Sequence, residues 1–182
     1  MTETPLPKSE GYLGKLKGAK ALSGIAYPNW TEVLISGLGG VLIIGLLNYL
    51  SLETELIKAF IIPFGATAVL VFAAPAAPFS QPRNVVGGHV LSGLVGIIIM
   101  TVFQQNAWWT LALATSIAIA LMVATKTVHP PAGATALLPV VNGITSLSWL
   151  ITPVLAGCLL FVLVGVLYNN LWAKRKYPAF WA

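Results

Sequence analysis

The chain has 182 residues, of which 57% are hydrophobic and only 8% charged, with a formal net charge of +5. Because soluble domains carry about 25% charged residues, this composition excludes an ordinary water-soluble protein and indicates one that is embedded in a membrane. A single cysteine excludes a disulfide framework, and the positive charge fits anchoring to anionic lipid rather than a nucleic-acid partner.

Long stretches without any charged side chain predict an all-α integral membrane protein. Since a spanning helix needs about 20 apolar residues, the two shorter stretches hold one span each and the two longer ones hold two each. Six membrane segments follow, with some of them broken or short. The uncharged stretches cover residues 33–52, 59–82, 84–125 and 127–173.

Basic residues predict the orientation and the domain limits. Four lysines lie in residues 1–30, which we predict to be a cytoplasmic, interfacial segment, and three basic residues open a cytoplasmic tail at 174–182. Residues 31–173 form one membrane domain between them. Arg83 and Lys126 are predicted on the same cytoplasmic side as both termini. Turns between the spans are expected at residues 51–55, 78–84, 104–106 and 142–146.

A repeated sequence segment divides the domain in two. Residues 58–70 recur as residues 126–138, with seven of thirteen positions identical. Each copy has one span before it and one after it, which gives two units at about residues 32–103 and 107–173. Because three is an odd number, the second unit of three spans must enter the membrane from the side opposite to the first. We therefore predict a 3+3 inverted repeat, an arrangement that places transporter sites near the bilayer midplane.

The second copy contains a helix break at His129-Pro130-Pro131. Proline cannot continue a helix from the residues before it but fits the first helical turn, so a helix should begin at Pro130 or Pro131 after an extended stretch. Its first N–H groups lack helical partners and carry about half a positive charge. We expect these donors at Ala132, Gly133 and Ala134, with the hydroxyl of Thr135 beside them.

The first copy is expected to supply a matching helix end behind Pro63, at Gly65, Ala66 and Thr67. Two positive helix ends around one cavity predict a site for a small anion. We expect a larger side chain at Gly133 to obstruct it. The chain has no Asp, and all five Glu lie outside the predicted spans. A cation or metal site is therefore not expected, and no cofactor is predicted.

Four further polar residues are candidates for the transport path. Arg83 attracts or binds an anion at the cytoplasmic mouth, or serves only as an inner-face anchor. Asn84 joins it there or caps a turn. His89 follows Gly87-Gly88, a pair that permits close helix packing, and lines or braces the path. His129, at the break, donates a hydrogen bond or carries a proton.

With these residues in view, the chain resembles the HPP family of integral membrane proteins, named for the tripeptide at residues 129–131. The following Ala-Gly-Ala-Thr-Ala and the segments 81–84 and 87–89 are similar to the family's motifs. The resemblance implies nitrite as the substrate and a bacterial inner membrane as the location, with the cyanobacteria as one group in which the family occurs. Family descriptions often count four or five helices, which departs from the six predicted from the residues.

We interpret the chain as a transporter or channel for a small monovalent anion, most readily nitrite, and not as an enzyme. One alternative is a structural or regulatory subunit of a larger complex. A second is an intramembrane enzyme, although no catalytic spacing is visible among the histidines and hydroxyls. Many glycines in the spans favour a homo-oligomer.

Overall fold

The computed structural model describes residues 29–50 and 55–181, with side chains described from residue 62 onward in the second range. This part of the chain is helical and contains no strand, which confirms the predicted all-α class. The N-terminal segment and the predicted turn at 51–54 lie outside the described residues. The six helices are α1 (Trp30–Leu50), α2 (Glu55–Ala68), α3 (Pro82–Phe103), α4 (Trp108–Ala124), α5 (Ala132–Asn142) and α6 (Leu150–Asn169).

The helices differ in whether they are long enough to span. By length and composition, α1, α3 and α6 can each cross a membrane, whereas α4, α5 and the apolar stretch Ile62–Ala73 are shorter. The 11 residues of α5 cover only about 16 Å. The part of the chain that the structure describes thus contains six apolar segments, three of them full length. The inverted relation between the two units stays a prediction.

Helix ends fall near the predicted turns. Gln104 ends α3 in the left-handed conformation with φ 52°, and Gly143 ends α5 with φ 67°, which glycine adopts without steric cost. Trp108 opens α4 and is exposed, as is typical of tryptophan at a membrane–water interface. An unpredicted break occurs in α6, where Thr152 is extended before Pro153.

The expected helix start behind Pro63 is wrong. Pro63 lies inside α2, which continues to Ala68 and then widens into a π-helical turn at Val69–Ala73. The second copy carries the tandem Pro130-Pro131, and its helix begins only after them, at Ala132. A single proline in the first copy does not stop the helix, since membrane helices tolerate one when neighbouring groups satisfy the freed carbonyls.

Close contact between α3 and α5 organises the centre of the fold. A Cβ added at Gly96 would lie 2.4 Å from the carbonyl oxygen of Ala136, so only glycine allows the two helices to approach this closely. One apolar cluster packs around Phe72 and Phe161, and a second packs where Ala114 and Ala118 of α4 meet the other two helices. α3 contributes to both clusters and is the central helix.

The segment after α6 packs on the membrane domain rather than extending away from it. Arg175 bonds to the Glu32 carboxylate through Nε (2.9 Å) and Nη2 (2.6 Å), and its Nη1 reaches the carbonyl of Phe72 at 2.8 Å. Tyr177 is buried and donates its hydroxyl to the carbonyl of Ser80 at 2.9 Å. Residues 174–181 are therefore part of the folded unit and join the end of α6 to the starts of α1 and α3.

These bonds bring the basic residues to one face. Arg83 donates from Nη2 to the carbonyl of Thr125 at 2.9 Å, which places it next to Lys126. The segment that carries Arg175 joins the same end of the molecule through Ser80. The predicted common side of Arg83, Lys126 and the C-terminal basic residues is thus present in the fold. Which side faces the cytoplasm stays a prediction.

Candidate functional site

Both histidines of the chain meet two threonines in the interior. His89 of α3, His129 of the break, Thr67 of α2 and Thr135 of α5 are each fully buried. Thr67 Oγ1 lies 3.0 Å from Nε2 of His89 and 2.9 Å from Nε2 of His129. Thr135 Oγ1 lies 2.7 Å from Nδ1 of His89. We call these four residues the His–Thr cluster.

The cluster ends on a backbone carbonyl, which fixes its proton positions. Nδ1 of His129 lies 2.7 Å from the carbonyl oxygen of Phe79. A carbonyl only accepts, so this nitrogen carries the hydrogen and Nε2 accepts from Thr67. Nε2 of His89 then donates to Thr67, and Nδ1 accepts from Thr135. This assignment gives Thr67, His89 and His129 one donor and one acceptor role each in a neutral chain that Thr135 begins as a donor.

The local sequence holds His129 in place. Residues 127–129 are non-helical, as predicted for the residues before two prolines. Asn84 donates from Nδ2 to the carbonyl of Val128 at 2.8 Å and is buried. A Cβ added at Gly87 would lie 2.8 Å from Cγ2 of Thr127. The Gly87-Gly88 pair therefore permits close packing as predicted, and Asn84 braces the break instead of capping a turn.

The helix that follows the break begins at Ala132, directly after the predicted start at Pro130 or Pro131, and its first donors are occupied. The N–H groups of Ala132, Gly133 and Ala134 bond to the carbonyls of residues 129, 130 and 131 at 2.9, 3.1 and 3.1 Å. Pro131 is buried immediately before the helix. The predicted free donors at Ala132, Gly133 and Ala134 are wrong, because a tight first turn satisfies all three.

Three other predicted site residues point away from the cluster. Gly65 and Ala66 are exposed on the outer face of α2, where Gly65 lines a surface groove of about 400 Å³ against α1. A Cβ added at Gly133 meets no atom within 4 Å. The two copies of the repeated segment place their threonines, Thr67 and Thr135, in the interior, whereas their glycines do not line the cluster.

A basic pocket lies next to the cluster on the face that carries the basic residues. Its volume is about 320 Å³. Arg83 and Lys126, both exposed, supply its positive charge. Phe79 lines the pocket and also accepts the hydrogen bond from His129, so it links the pocket to the cluster. The lining residues are Pro78, Phe79, Arg83, Asn84, Lys126, Val128 and Phe180.

Gln81 ties the wall of this pocket to the C-terminal segment. Its Nε2 donates to the carbonyls of Pro75 and Ala77 at 2.9 and 2.8 Å, and its Oε1 accepts from the N–H of Ala179 at 2.8 Å. Sequence reasoning missed this role and that of the Phe79 carbonyl. The position of Gln81 in a polar segment, 80–84, of a strongly apolar chain could have indicated its role. The role of a backbone carbonyl cannot be predicted in this way, because every residue has one.

Metal binding has little support in the described residues. No group of three or more His, Cys, Asp or Glu side chains lies close enough together to hold an ion. The two imidazoles bond instead to threonine hydroxyls and a carbonyl. The arrangement is suited to hydrogen-bond exchange and proton placement.

Comparison with known proteins finds relatives over most of the chain. Residues 25–178 match the family model described as HPP, transmembrane region. One transmembrane protein of Dictyostelium discoideum is 42% identical over 155 residues, which is 81% of this chain and 49% of that protein. A second is 36% identical over 160 residues, or 84% and 55%. The chain thus spans about half the length of these relatives. No solved structure matches it.

Proposed function

The chain belongs to the HPP transmembrane family, and from that premise we propose that it is a transporter or channel for a small monovalent anion, with nitrite as the substrate. The observation that carries the proposal is the basic pocket at Arg83 and Lys126, whose lining residue Phe79 bonds to His129 of a buried cluster of hydroxyls and imidazoles. Positive charge at a mouth raises the local concentration of an anion, and neutral donors inside replace its hydration.

The Nδ1–H of His129 is the first interior donor that an anion meets. In the structure it bonds to the carbonyl of Phe79. A nitrite ion in the pocket replaces that carbonyl as the acceptor when Phe79 moves aside. A charge-assisted bond is roughly twice as strong as a neutral one, so the exchange favours the anion. Planar nitrite, with several acceptor positions, suits such donors.

The proposed site is smaller than the sequence predicts. No helix end supplies its donors, because the first N–H groups of α5 are occupied, and the donors are the side chains of His129, Thr67, His89 and Thr135. Gly65, Ala66, Gly133 and Ala134 have no part in it. Location in a bacterial plasma membrane and assembly into a homo-oligomer belong to the same proposal. The relatives from Dictyostelium discoideum lend no support to a bacterial origin.

Reconstitution into liposomes tests the proposal. We expect the wild-type protein to carry nitrite faster than protein-free vesicles do. His129→Leu should reduce that rate by about tenfold or more, since an interior charge-assisted hydrogen bond contributes about 1.5–3 kcal/mol. Thr115→Val is the matched control. Thr115 bonds only within its own helix, to the carbonyl of Leu111, and its variant should transport normally.

Two outcomes contradict the proposal. Nitrite entry no faster than in protein-free vesicles removes the transport function and favours the alternative of a subunit that needs partners. Full activity of a correctly inserted His129→Leu protein removes the cluster from the path. Conversion of an added compound without any flux would favour the enzyme alternative instead.

A further inference from the structure

The Thr67 hydroxyl has two acceptors for one hydrogen. Besides Nε2 of His129, its Oγ1 lies 3.2 Å from the carbonyl of Pro63, one turn earlier in α2. The hydroxyl can therefore form either of two hydrogen bonds as a donor. It donates to the ring nitrogen in the neutral chain described above, or it rotates and donates to the carbonyl.

Rotation of this hydroxyl opens a place for one more proton. When Thr67 donates to Pro63, Nε2 of His129 loses its donor and can bind a proton itself. The resulting imidazolium donates from Nε2 to Thr67 and from Nδ1 to Phe79, and His89 keeps its bonds unchanged. Thr67 then accepts from both rings, which the two lone pairs of a hydroxyl allow. Both protonation states leave every polar atom of the cluster bonded.

Among the residues whose side chains the structure describes, no anionic group faces the extra charge. The cluster lies close to the start of α5, whose dipole disfavours a cation. Of the neighbouring elements, α6 presents the Cys158 thiol, which bonds to the carbonyl of Val85. At the 78–80 turn, the carbonyl of Ser80 accepts a hydrogen bond from the Tyr177 hydroxyl. Glu32 is paired with Arg175 on the α1 side. The charged groups of the adjoining pocket are both cations, Arg83 and Lys126.

We infer that the His–Thr cluster binds a proton together with the transported anion, so that the protein is a proton–anion symporter. The inference rests on the proposed function. One proton enters the cluster as one monovalent anion replaces the Phe79 carbonyl at Nδ1 of His129, and the pair is neutral. Release of the anion on the far side removes the countercharge, the proton leaves, and Thr67 donates to His129 again.

Simultaneous measurement of nitrite and proton entry tests the inference. Vesicles that contain the wild-type protein and a pH-sensitive dye are held at zero membrane potential and given an inward nitrite gradient. We expect the lumen to acidify in proportion to nitrite entry, above the rate in protein-free vesicles, which corrects for passive entry of nitrous acid. An imposed proton gradient, acidic outside, should drive nitrite accumulation without a nitrite gradient.

Variants of Thr67 provide the specific test. Thr67→Ser keeps the hydroxyl and should keep the coupling. Thr67→Val removes the shared acceptor and should lower nitrite-driven proton entry by about tenfold or more, the change expected on losing a hydrogen bond to a charged group. If Thr67→Val does not fold, the nitrite and proton fluxes of the wild-type protein still decide whether transport is coupled to protons.

The failure of symport and the failure of the proposed function give different results. Protein-dependent nitrite entry that follows the membrane potential and leaves the lumen pH at the protein-free rate overturns symport and leaves anion transport standing. The absence of any protein-dependent nitrite entry overturns both. Equal proton coupling in folded Thr67→Val and wild-type proteins removes the hydroxyl from the mechanism and overturns the assignment to this cluster.

Discussion

A Cβ atom built on Gly88 lies 2.7 Å from Cβ of His129. Real Cβ atoms do not approach this closely, so Gly88→Ala must push the break away from α3 and move the His129 ring. We expect a loss of about 1–3 kcal/mol in stability, the usual cost of overpacking, and a marked loss of nitrite flux. Thermal unfolding in detergent and liposome uptake measure the two effects.

Gly133→Ala is the matched control for Gly88→Ala. A Cβ at Gly133 meets no atom within 4 Å, and alanine is a better helix former than glycine by about 1 kcal/mol. Wild-type flux with equal or higher stability is expected, which reverses the expectation from sequence that bulk at Gly133 obstructs the site. Loss of flux in this variant would show that a ligand does approach α5 there.

Neutralising the basic pocket should weaken the capture of substrate. In Arg83→Gln and Lys126→Gln we expect the apparent KM for nitrite to rise about threefold to tenfold with little change in maximal rate, because exposed charges act mainly by attraction at a distance. High salt should shrink the difference. Lys174→Gln removes an exposed charge outside the lining of the pocket and should leave KM unchanged.

The ion pair between Arg175 and Glu32 should contribute strongly to stability. The Arg175 side chain is only 5% exposed and that of Glu32 is 33% exposed. Removing one partner of a buried pair costs about 3–5 kcal/mol, and we expect the low end for Arg175→Leu, since water reaches Glu32. A double variant with Glu32→Leu should regain part of the loss. Strictly additive losses in thermal unfolding would contradict a direct coupling.

Stability should fall in alkaline solution through Tyr177. Burial raises the pKa of its phenol above the ordinary value of 10. Above pH 10 the unfolded chain releases this proton while the folded chain holds it, so the unfolding free energy decreases as pH rises. Tyr177→Phe should be less stable at pH 8, through loss of the bond to Ser80, and should show a smaller decrease between pH 9 and pH 11. Parallel melting curves would contradict this.

Cysteine labelling checks the orientation. Gln104 and Lys174 are exposed, and the natural Cys158 is buried. A membrane-impermeant thiol reagent added to intact cells should modify Gln104→Cys and spare Lys174→Cys until the membrane is opened. The reverse pattern would place the basic face outside, and modification of both would contradict the helix count.

The parts of the site that follow from backbone chemistry could be predicted from sequence. The tandem prolines predict a helix start at residue 130 or 131, and α5 begins directly after them, at Ala132. The repeat singled out Thr67 and Thr135 as equivalent positions, and both bond to His89. These features depend on local rules that do not require knowledge of the packing.

The remaining features depend on how the helices face one another. Once α2 continues through Pro63, Gly65 and Ala66 lie on a different side from Thr67, because neighbouring positions on a helix point in different directions. Bonds between the histidines and threonines join residues 22 to 62 positions apart. No periodicity encodes such pairings, and the Phe79 carbonyl has no side-chain signature.

The pairing of Arg175 with Glu32 spans 143 positions, from the first turn of α1 to the segment that follows α6. It can form only after the helices from α1 to α6 have been synthesised and assembled. During biogenesis the carboxylate on α1 therefore stays without this partner until the segment after α6 has been made. An interrupted or misassembled chain would leave that acid unpaired, so the ion pair forms only when the two ends of the described helical unit come together.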